Sequence, residues 1–276
     1  MIFPPGHYHS PIPDRADLIQ RQDRIWALRE ELAGVDMRVS AQLDLLERLR
    51  PQVASIDYPV EAPAASDCYF YGNGMFPVLD AEFLYGALCL WQPRRVVEVG
   101  SGYSSLVMAD VNRRLFGNAI DITCVEPYPR DFLRSGVDGI TRLVPSRLEE
   151  TDPALFAQLE AGDLLFIDSS HVSKAGSDVN YLFFEILPRL KQGVHVHLHD
   201  IFLPDEYPKA WVLDEERSWT EQYLLHAFLM NNPQWQVNWM AHYMLSRHRA
   251  AVSSVFPRCP ALGAGGSFWM QRVGGA

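Results

Sequence analysis

Three short stretches of this chain carry residue types that can do chemistry. In the first, Val96-Val97-Glu98-Val99-Gly100-Ser101-Gly102-Tyr103-Ser104-Ser105, an apolar run breaks into a Gly-x-Gly turn. Glycines there tolerate positive φ and let a ligand approach the backbone, and a helix beginning at the turn offers free N–H groups. The second is Glu126, which ends the next apolar run, Ile122–Val125. A carboxylate so placed suits hydrogen bonding to both hydroxyls of a ribose. Glu98, beside the glycine turn, would repel a pyrophosphate and suits a cationic ligand better. Together the two acids point away from a nicotinamide dinucleotide and towards an adenosyl amino acid. The third stretch is a pair of polar clusters. Asp168-Ser169-Ser170-His171 follows the run Leu164–Ile167, and His199-Asp200 follows Val194–Leu198. Strand ends face the ligand crevice in open α/β sheets, so two carboxylates and two imidazoles can converge there. His171 and His199 are the candidate bases for removing a proton near neutral pH, with Asp168 beside them.

The elements that must position these groups alternate strand and helix signals from about residue 67 to 276. RRVVEVG, DITCVEP, ITRLVPSRL, GDLLFIDSSH and VHVHLHDIF read as strands. Between them lie helical patterns over YSSLVMADVNRRLFG, RDFLRSG, Pro153–Glu160 and DVNYLFFEILPRLKQG. Apolar runs buried on both faces and separated by helices mark a parallel doubly wound sheet. Ser218 and Glu221 form a capping box for a helix reaching about Asn231. WQVNWMAHYML and SFWMQRV read as a closing pair of strands. His195, His197 and His199 alternate, so they share one side of their strand. The first two lie deeper and read as core histidines. Residues 1–66 form a separate zone. Leu18, Ile25, Leu28 and Leu32 fall on one helical face closed by Gly34, and Val39, Leu43, Leu46 and Leu49 form a second helix ending before Pro51. Residues 52–66 read as a linker. The zone is either an appendage, such as a lid or dimer-forming element, or a cover over one edge of the main domain.

Composition narrows the partners. The chain has 276 residues, 48% of them hydrophobic, enough for one large domain or two small ones. Against 24 Lys+Arg stand 34 Asp+Glu, a net charge of −10, which disfavours a nucleic acid as the main partner. No apolar run nears the roughly 18 residues of a membrane span, and the first residues lack the pattern of a signal peptide. The four cysteines form no CxxC pair and read as reduced thiols. The expectation is a soluble cytoplasmic protein that meets neither membrane nor nucleic acid.

EVGSGYSS, CVEPYP, DLLFIDSSH and HLHDIFLPDEYP, in that order, resemble the class I S-adenosylmethionine-dependent methyltransferases. More narrowly they resemble a small-molecule branch with IDSSH and HDIF-P-x-EYP segments. The likeness runs from about residue 70 to 273. It implies a Rossmann-like α/β fold with seven strands in the order 3-2-1-4-5-7-6, the last antiparallel, and S-adenosylmethionine as cofactor. It implies that Glu98, Gly100, Ser101, Gly102 and Ser104 line the methionine end, with Asp168 close by. Glu126 would hold the ribose, and Ser146, Arg147 and Leu148 would border the adenine. The implied reaction is methyl transfer to a small-molecule hydroxyl. Catechol-type members bind magnesium through an Asp after strand four and an acid–Asn pair after strand five. Here Asp168 matches the first position, but His199-Asp200 replaces the pair. Catalysis by His and Asp alone stands slightly ahead of a metal site at Asp168, His199 and Asp200, which would suit zinc, iron or manganese. Tyr71, Asn73, Phe76, Tyr207 and Trp211 are candidates for the acceptor pocket, although for any single one of them packing of the loop against the body is the better explanation. A metal-dependent oxidative enzyme and a non-catalytic cofactor-binding partner remain as alternatives, and the N-terminal helices are the candidate homodimer surface.

Overall fold

The computed structural model describes residues 2–63, 67–259 and 265–274. Its strands are β1 (Arg95–Val99), β2 (Asp121–Val125), β3 (Arg142–Val144), β4 (Leu164–Ile167), β5 (His195–Leu198), β6 (Trp235–Met240) and β7 (Phe268–Arg272). They form one sheet in the order β3-β2-β1-β4-β5-β7-β6, the expected arrangement. The first five are parallel, and β7 runs antiparallel to both β5 and β6. Apolar runs such as Leu164–Ile167 are buried along their whole length because helices cover both faces. The chain moves outward from β1 in both directions, so a crevice opens beyond the ends of β1 and β4.

The helices in chain order are α1 (Arg15–Gln20), α2 (Gln22–Ile25), α3 (Val39–Val53), α4 (Val78–Trp91), α5 (Tyr103–Phe116), α6 (Asp131–Arg134), α7 (Ala154–Ala157), α8 (Asp178–Tyr181), α9 (Lys209–Leu213), α10 (Glu221–Leu229), α11 (Ala241–Arg247) and α12 (Arg249–Val255). Among the described residues no helix is long and apolar enough to cross a membrane.

Several elements depart from the sequence pattern, each for a physical reason. The expected first helix is two short ones, and the chain leaves helical geometry at Trp26. There the Trp26 indole donates to the Tyr207 carbonyl (2.8 Å) and Arg29 N–H to Asp205 (2.8 Å), so tertiary bonds replace the helical ladder. Leu28, expected on the apolar face, is 71% exposed. Helix α3 continues through Pro51 to Val53. The long helix expected after Ser177 is α8 followed by a π-helical turn (Leu182–Ile186) and a 3-10 turn (Leu187–Arg189). Pro188 has no N–H for a regular ladder. The run read as one strand, Trp235–Leu245, turns into α11 after Met240. Helix α4 had no sequence signal because it is apolar all round and buried from Val78 to Leu88.

The N-terminal zone packs on the sheet's β6 end. Leu46, Leu49 and Val53 of α3 join the same hydrophobic cluster as the sheet residues, as do Ile56 and Tyr58 from the expected linker; residues 64–66 of that linker lie outside the described ones. Gln42 is fully buried: its Nε2 donates to the Met37 carbonyl (2.6 Å) and its Oε1 accepts from the Met240 N–H (2.8 Å). Gln42→Leu strands both backbone groups, so it should cost about 1–3 kcal/mol in urea unfolding. A smaller loss would show that the bridge does not tie the N-terminal zone to β6.

Candidate active site

The site begins with a steric requirement. Gly100 sits at φ +82°, and a Cβ there would come within 1.7 Å of the Asp168 carbonyl oxygen. Glycine therefore lets the end of β1 lie against the end of β4, an approach closed by the Asp168 N–H bond to the Val99 carbonyl (2.8 Å). Ser101 N–H donates to Glu126 Oε2 (3.1 Å) and Tyr128 N–H to Glu126 Oε1 (2.7 Å), which aims this carboxylate across the glycine turn. Glu98 behaves differently from the expectation. It is fully buried beneath the turn and accepts from Ser104 Oγ (2.6 Å), Ser105 Oγ (2.5 Å) and Cys124 Sγ (3.2 Å). Burial pushes its carboxyl up to about 7, with the hydroxyl donors pulling the other way. Its place is under the turn, bracing it, and it does not line the cavity above.

That cavity, about 850 Å³, brings together the glycine turn, Glu126, Asp168, Ser169, His171, His199 and Asp200. On its floor, His171 Nε2 lies 3.3 Å from Asp168 Oδ1 and 3.6 Å from Asp200 Oδ2, while His199 Nδ1 lies 3.7 Å and 3.5 Å from the same two residues' Oδ1 atoms. Each ring has a buried carboxylate behind it. Glu221 Oε2 is 2.9 Å from His171 Nδ1, and Asp80 Oδ2 is 3.0 Å from His199 Nε2. Asp80, fully buried in the first turn of α4, also accepts from the Gly266 N–H (2.8 Å) and the Ser267 N–H (3.1 Å).

Burial alone would lower the His171 pKa. Hydrogen bonds to Asp168 and Glu221, with their charges, outweigh it and push it up to about 10. His199 is likewise raised well above its ordinary value, against burial, by the charges of Asp200 and Asp168 and by the Asp80 bond. Burial works against the Asp200 carboxylate, yet the His199 charge holds it below the usual range. Both rings are thus biased towards the charged form, because carboxylates face each of them, and this runs against the expectation of a base with near-neutral pKa.

Sequence reasoning missed Asp80, Glu221, Arg217 and Trp219, the last two of which also line the cavity. Glu221 had been read as half of a capping box, but α10 starts at Glu221 behind Thr220 with no side-chain cap, and the carboxylate goes to His171. An acid inside the apolar run Val78–Trp91 was the available signal for Asp80. His195 and His197 are core residues: His195 stacks on Trp91 (4.0 Å), and His197 stacks on Phe166 (3.8 Å) with Nε2 on Ser267 Oγ (2.9 Å). Of the expected pocket residues, Tyr71, Phe76 and Trp211 line the cavity. Asn73 does not, since its side chain is spent on the loop, donating to the Phe70 carbonyl (2.6 Å) and accepting from the Phe76 N–H (2.8 Å). Tyr207 is buried outside the cavity, its hydroxyl accepting from the Gln222 N–H (3.1 Å). Ser146, Arg147 and Leu148 are not brought to the cavity either. Ser146 bonds Thr151 (3.2 Å) at a separate small pocket, Arg147 is exposed and Leu148 is buried.

A family model described as a methyltransferase domain matches residues 97–201, from β1 to just past β5. A protein of Archaeoglobus fulgidus, described only as uncharacterised, is 37% identical over 164 residues, covering 58% of this chain and 74% of that one. The matched stretch, carried on the sheet order described above, makes this protein an S-adenosylmethionine-dependent methyltransferase. Solved structures similar to it include a Klebsiella pneumoniae protein described as a candidate O-methyltransferase, at 15% identity, 93% coverage of this chain and 96% of that one, and a TM-score of 0.39. The mitomycin 7-O-methyltransferase MmcR is 17% identical, with 95% and 74% coverage and a TM-score of 0.38. At those values the likeness says nothing of this methyltransferase's acceptor.

The residues at the crevice fit the methyltransferase cofactor. A Cβ on Gly102 would meet no atom within 4 Å, so the room it leaves belongs to the cavity. Ser169 Oγ, on the cavity wall, is buried without a partner among the described residues. Glu126 keeps acceptor capacity beyond its two backbone bonds.

The paired rings set a pH dependence for the methyltransferase's stability. The folded pKa of His171, about 10, lies above its ordinary 6.5. Its stabilisation is thus complete below about pH 6.5 and lost as pH rises through about 10. In chelator-treated protein, the unfolding free-energy gap between wild type and Glu221→Gln should be widest on the acid side of that window and close at its alkaline end. A gap that does not vary with pH would show that His171 is uncharged.

Proposed function

We propose that this methyltransferase acts on a hydroxyl of a small-molecule acceptor. The observation that carries this reading is that Asp168, His171, His199 and Asp200 lie on the floor of the same cavity as the glycine turn and Glu126. Bound there, S-adenosylmethionine supplies an electrophilic methyl on a positively charged sulfur. The chain's own part is to orient the acceptor, exclude water and take up the hydroxyl proton. Glu126 is assigned to the ribose, and Gly100, Ser101, Gly102 and Ser104 to the methionine end. Phe76 and Trp211 wall the acceptor side, where a flat ring can lie against aromatic faces.

The charged rings decide the division of labour. A ring held in its charged form cannot accept the hydroxyl proton, so His171 and His199 act by fixing Asp168 and Asp200 and by holding Asp200 ionised. The proton's first acceptor is then a carboxylate facing the cavity, and Asp168, 28% exposed, is the more open of the two. A metal reading is favoured by one further observation. One ligand atom each from Asp168, His199 and Asp200 lies within 4.8 Å of the others, with the far nitrogen of His199 tied to Asp80, and on this route the ion would take the place of the His199 Nδ1 proton. Metal-bound histidines are oriented in that way by a carboxylate behind them. This donor set suits manganese, iron or zinc better than magnesium. A divalent ion held there would polarise the acceptor hydroxyl.

Calorimetric titration of metal-stripped protein with S-adenosylhomocysteine tests the cofactor half. Binding should weaken roughly tenfold or more in Glu126→Ala, since hydrogen bonds to a charged group contribute about 1.5–3 kcal/mol. Absence of binding to the wild type would refute the reading. Acceptor screening with and without manganese, iron or zinc then separates the two routes, because Asp168→Asn should abolish hydroxyl methylation on either, whereas only the metal route is stopped by a chelator.

A further inference from the structure

The N-terminal segment encloses a space of its own. Between it and the loop after β5 lies a pocket of about 240 Å³, walled by Leu18, Ile25 and Trp26 on one side and by Tyr207, Val212 and Trp219 on the other. Its walls are fixed by polar bonds at their rims. Besides the Trp26 and Arg29 bonds described above, Arg15 Nε donates to the Leu213 carbonyl (3.0 Å), and Lys209 Nζ bonds Gln22 Oε1. Buried Asp205, which receives Arg29, also holds Arg247 through Nη1 (2.7 Å) and Nη2 (2.8 Å) and His242 through Nε2 (2.9 Å). Apolar side chains held apart by such a frame make a preformed pocket of the kind that takes the apolar part of a small molecule.

The pocket is continuous in its wall with the large cavity, because Arg217 and Trp219 line both. The Arg217 guanidinium carbon sits 4.0 Å from the Trp211 ring centroid and 4.7 Å from that of Trp219. Stacking fixes the plane of the guanidinium and leaves its N–H edges for acceptors. Glu215 takes Nε (2.7 Å) and Nη2 (2.6 Å), and Nη1 has no hydrogen-bond partner among the described residues.

We propose that this pocket is a second acceptor subsite. The acceptor is a two-part molecule whose hydroxyl-bearing end lies in the large cavity and whose apolar end lies under the N-terminal segment. An anionic group of that acceptor meets Arg217, whose side chain lines both spaces. The proposal rests on the methyltransferase reading, and its test keeps the two apart.

The probe is 8-anilinonaphthalene-1-sulfonate, an apolar ring system bearing an anion, titrated by fluorescence into protein saturated with S-adenosylhomocysteine. The dye should bind with the cofactor product in place. Leu18→Trp, which fills the pocket from the N-terminal side, should weaken the dye roughly tenfold or more without changing S-adenosylhomocysteine affinity. Arg217→Gln should weaken it too, and Arg217→Lys should restore much of the loss. No dye binding, or dye binding indifferent to Leu18→Trp, overturns the subsite. A hydroxylated acceptor that binds without displacing the dye overturns its assignment to the acceptor. Failure of S-adenosylhomocysteine to bind the wild type is a separate result that removes the methyltransferase reading itself.

Discussion

Much of this molecule depends on two buried carboxylate–imidazole pairs, His171 with Glu221 and His199 with Asp80. The register of β4 and β5, with Ile167 opposite Leu198, puts Asp168 and His199 at neighbouring strand ends. Crowding acids there is costly unless opposite charge is fixed beside them. Charged rings supply it, and a charged ring buried in protein needs its own second partner. Glu221 and Asp80 are those partners, and both reach the site from outside the stretch that carries the methyltransferase likeness, residues 97–201. The polar chemistry of the strand ends thus depends on α4 and α10, which share no sequence motif with it.

That dependence explains local choices that otherwise look unfavourable. His171 and Asp200 both adopt positive φ, at +60° and +56°, a region that non-glycine residues seldom occupy. The His171 carbonyl accepts from the Thr220 (2.9 Å) and Glu221 (3.1 Å) N–H groups, and Ser173 N–H donates to Thr220 Oγ1 (2.8 Å). The first turn of α10 therefore holds the loop after β4 through its backbone as well as through the ring. It also holds the loop after β5, since Phe202 N–H donates to Gln222 Oε1 (3.0 Å). One helical turn clamps both reactive loops.

The sheet and the positions of the three chemical stretches were legible in the sequence because each has a local signature. Runs such as Leu164–Ile167 end abruptly in polar residues, and the glycine turn follows directly on β1. What stayed hidden was of two kinds. Helix α4 is buried on all sides, so it has no amphipathic period, and nothing local marks Asp80 within it as a partner of His199. Glu221 carried a local signal that was true to type and wrong, since a tertiary partner 50 residues away outbid the helix terminus for its carboxylate. Leu18 and Ile25 do turn their apolar side chains inward, but against the loop after β5, because Tyr207 and Asp205 draw Trp26 and Arg29 out of the helix. Local pattern named the parts, and long-range charge and hydrogen-bond pairing decided their use.

The same pairing bears on which ligands the crevice accepts. Asp168 and Asp200 face two imidazoles on the cavity floor, and Asp80 and Glu221 lie behind those rings, so acids outnumber rings around the floor. Glu126 adds a further carboxylate at the rim, and Glu98, whose carboxyl burial raises to about 7, lies beneath the turn. In a low-dielectric cleft such an excess attracts positive charge and rejects phosphates. A sulfonium satisfies this at the β1 end and a divalent ion would satisfy it at the β4 and β5 ends, whereas a dinucleotide satisfies neither. The guanidinium groups that line the cavity, Arg130 and Arg217, extend from loops: Arg130 lies over the Tyr103 ring (5.2 Å) and Arg217 over Trp211 (4.0 Å). Negative charge on an acceptor can therefore be met at the rim but not on the floor.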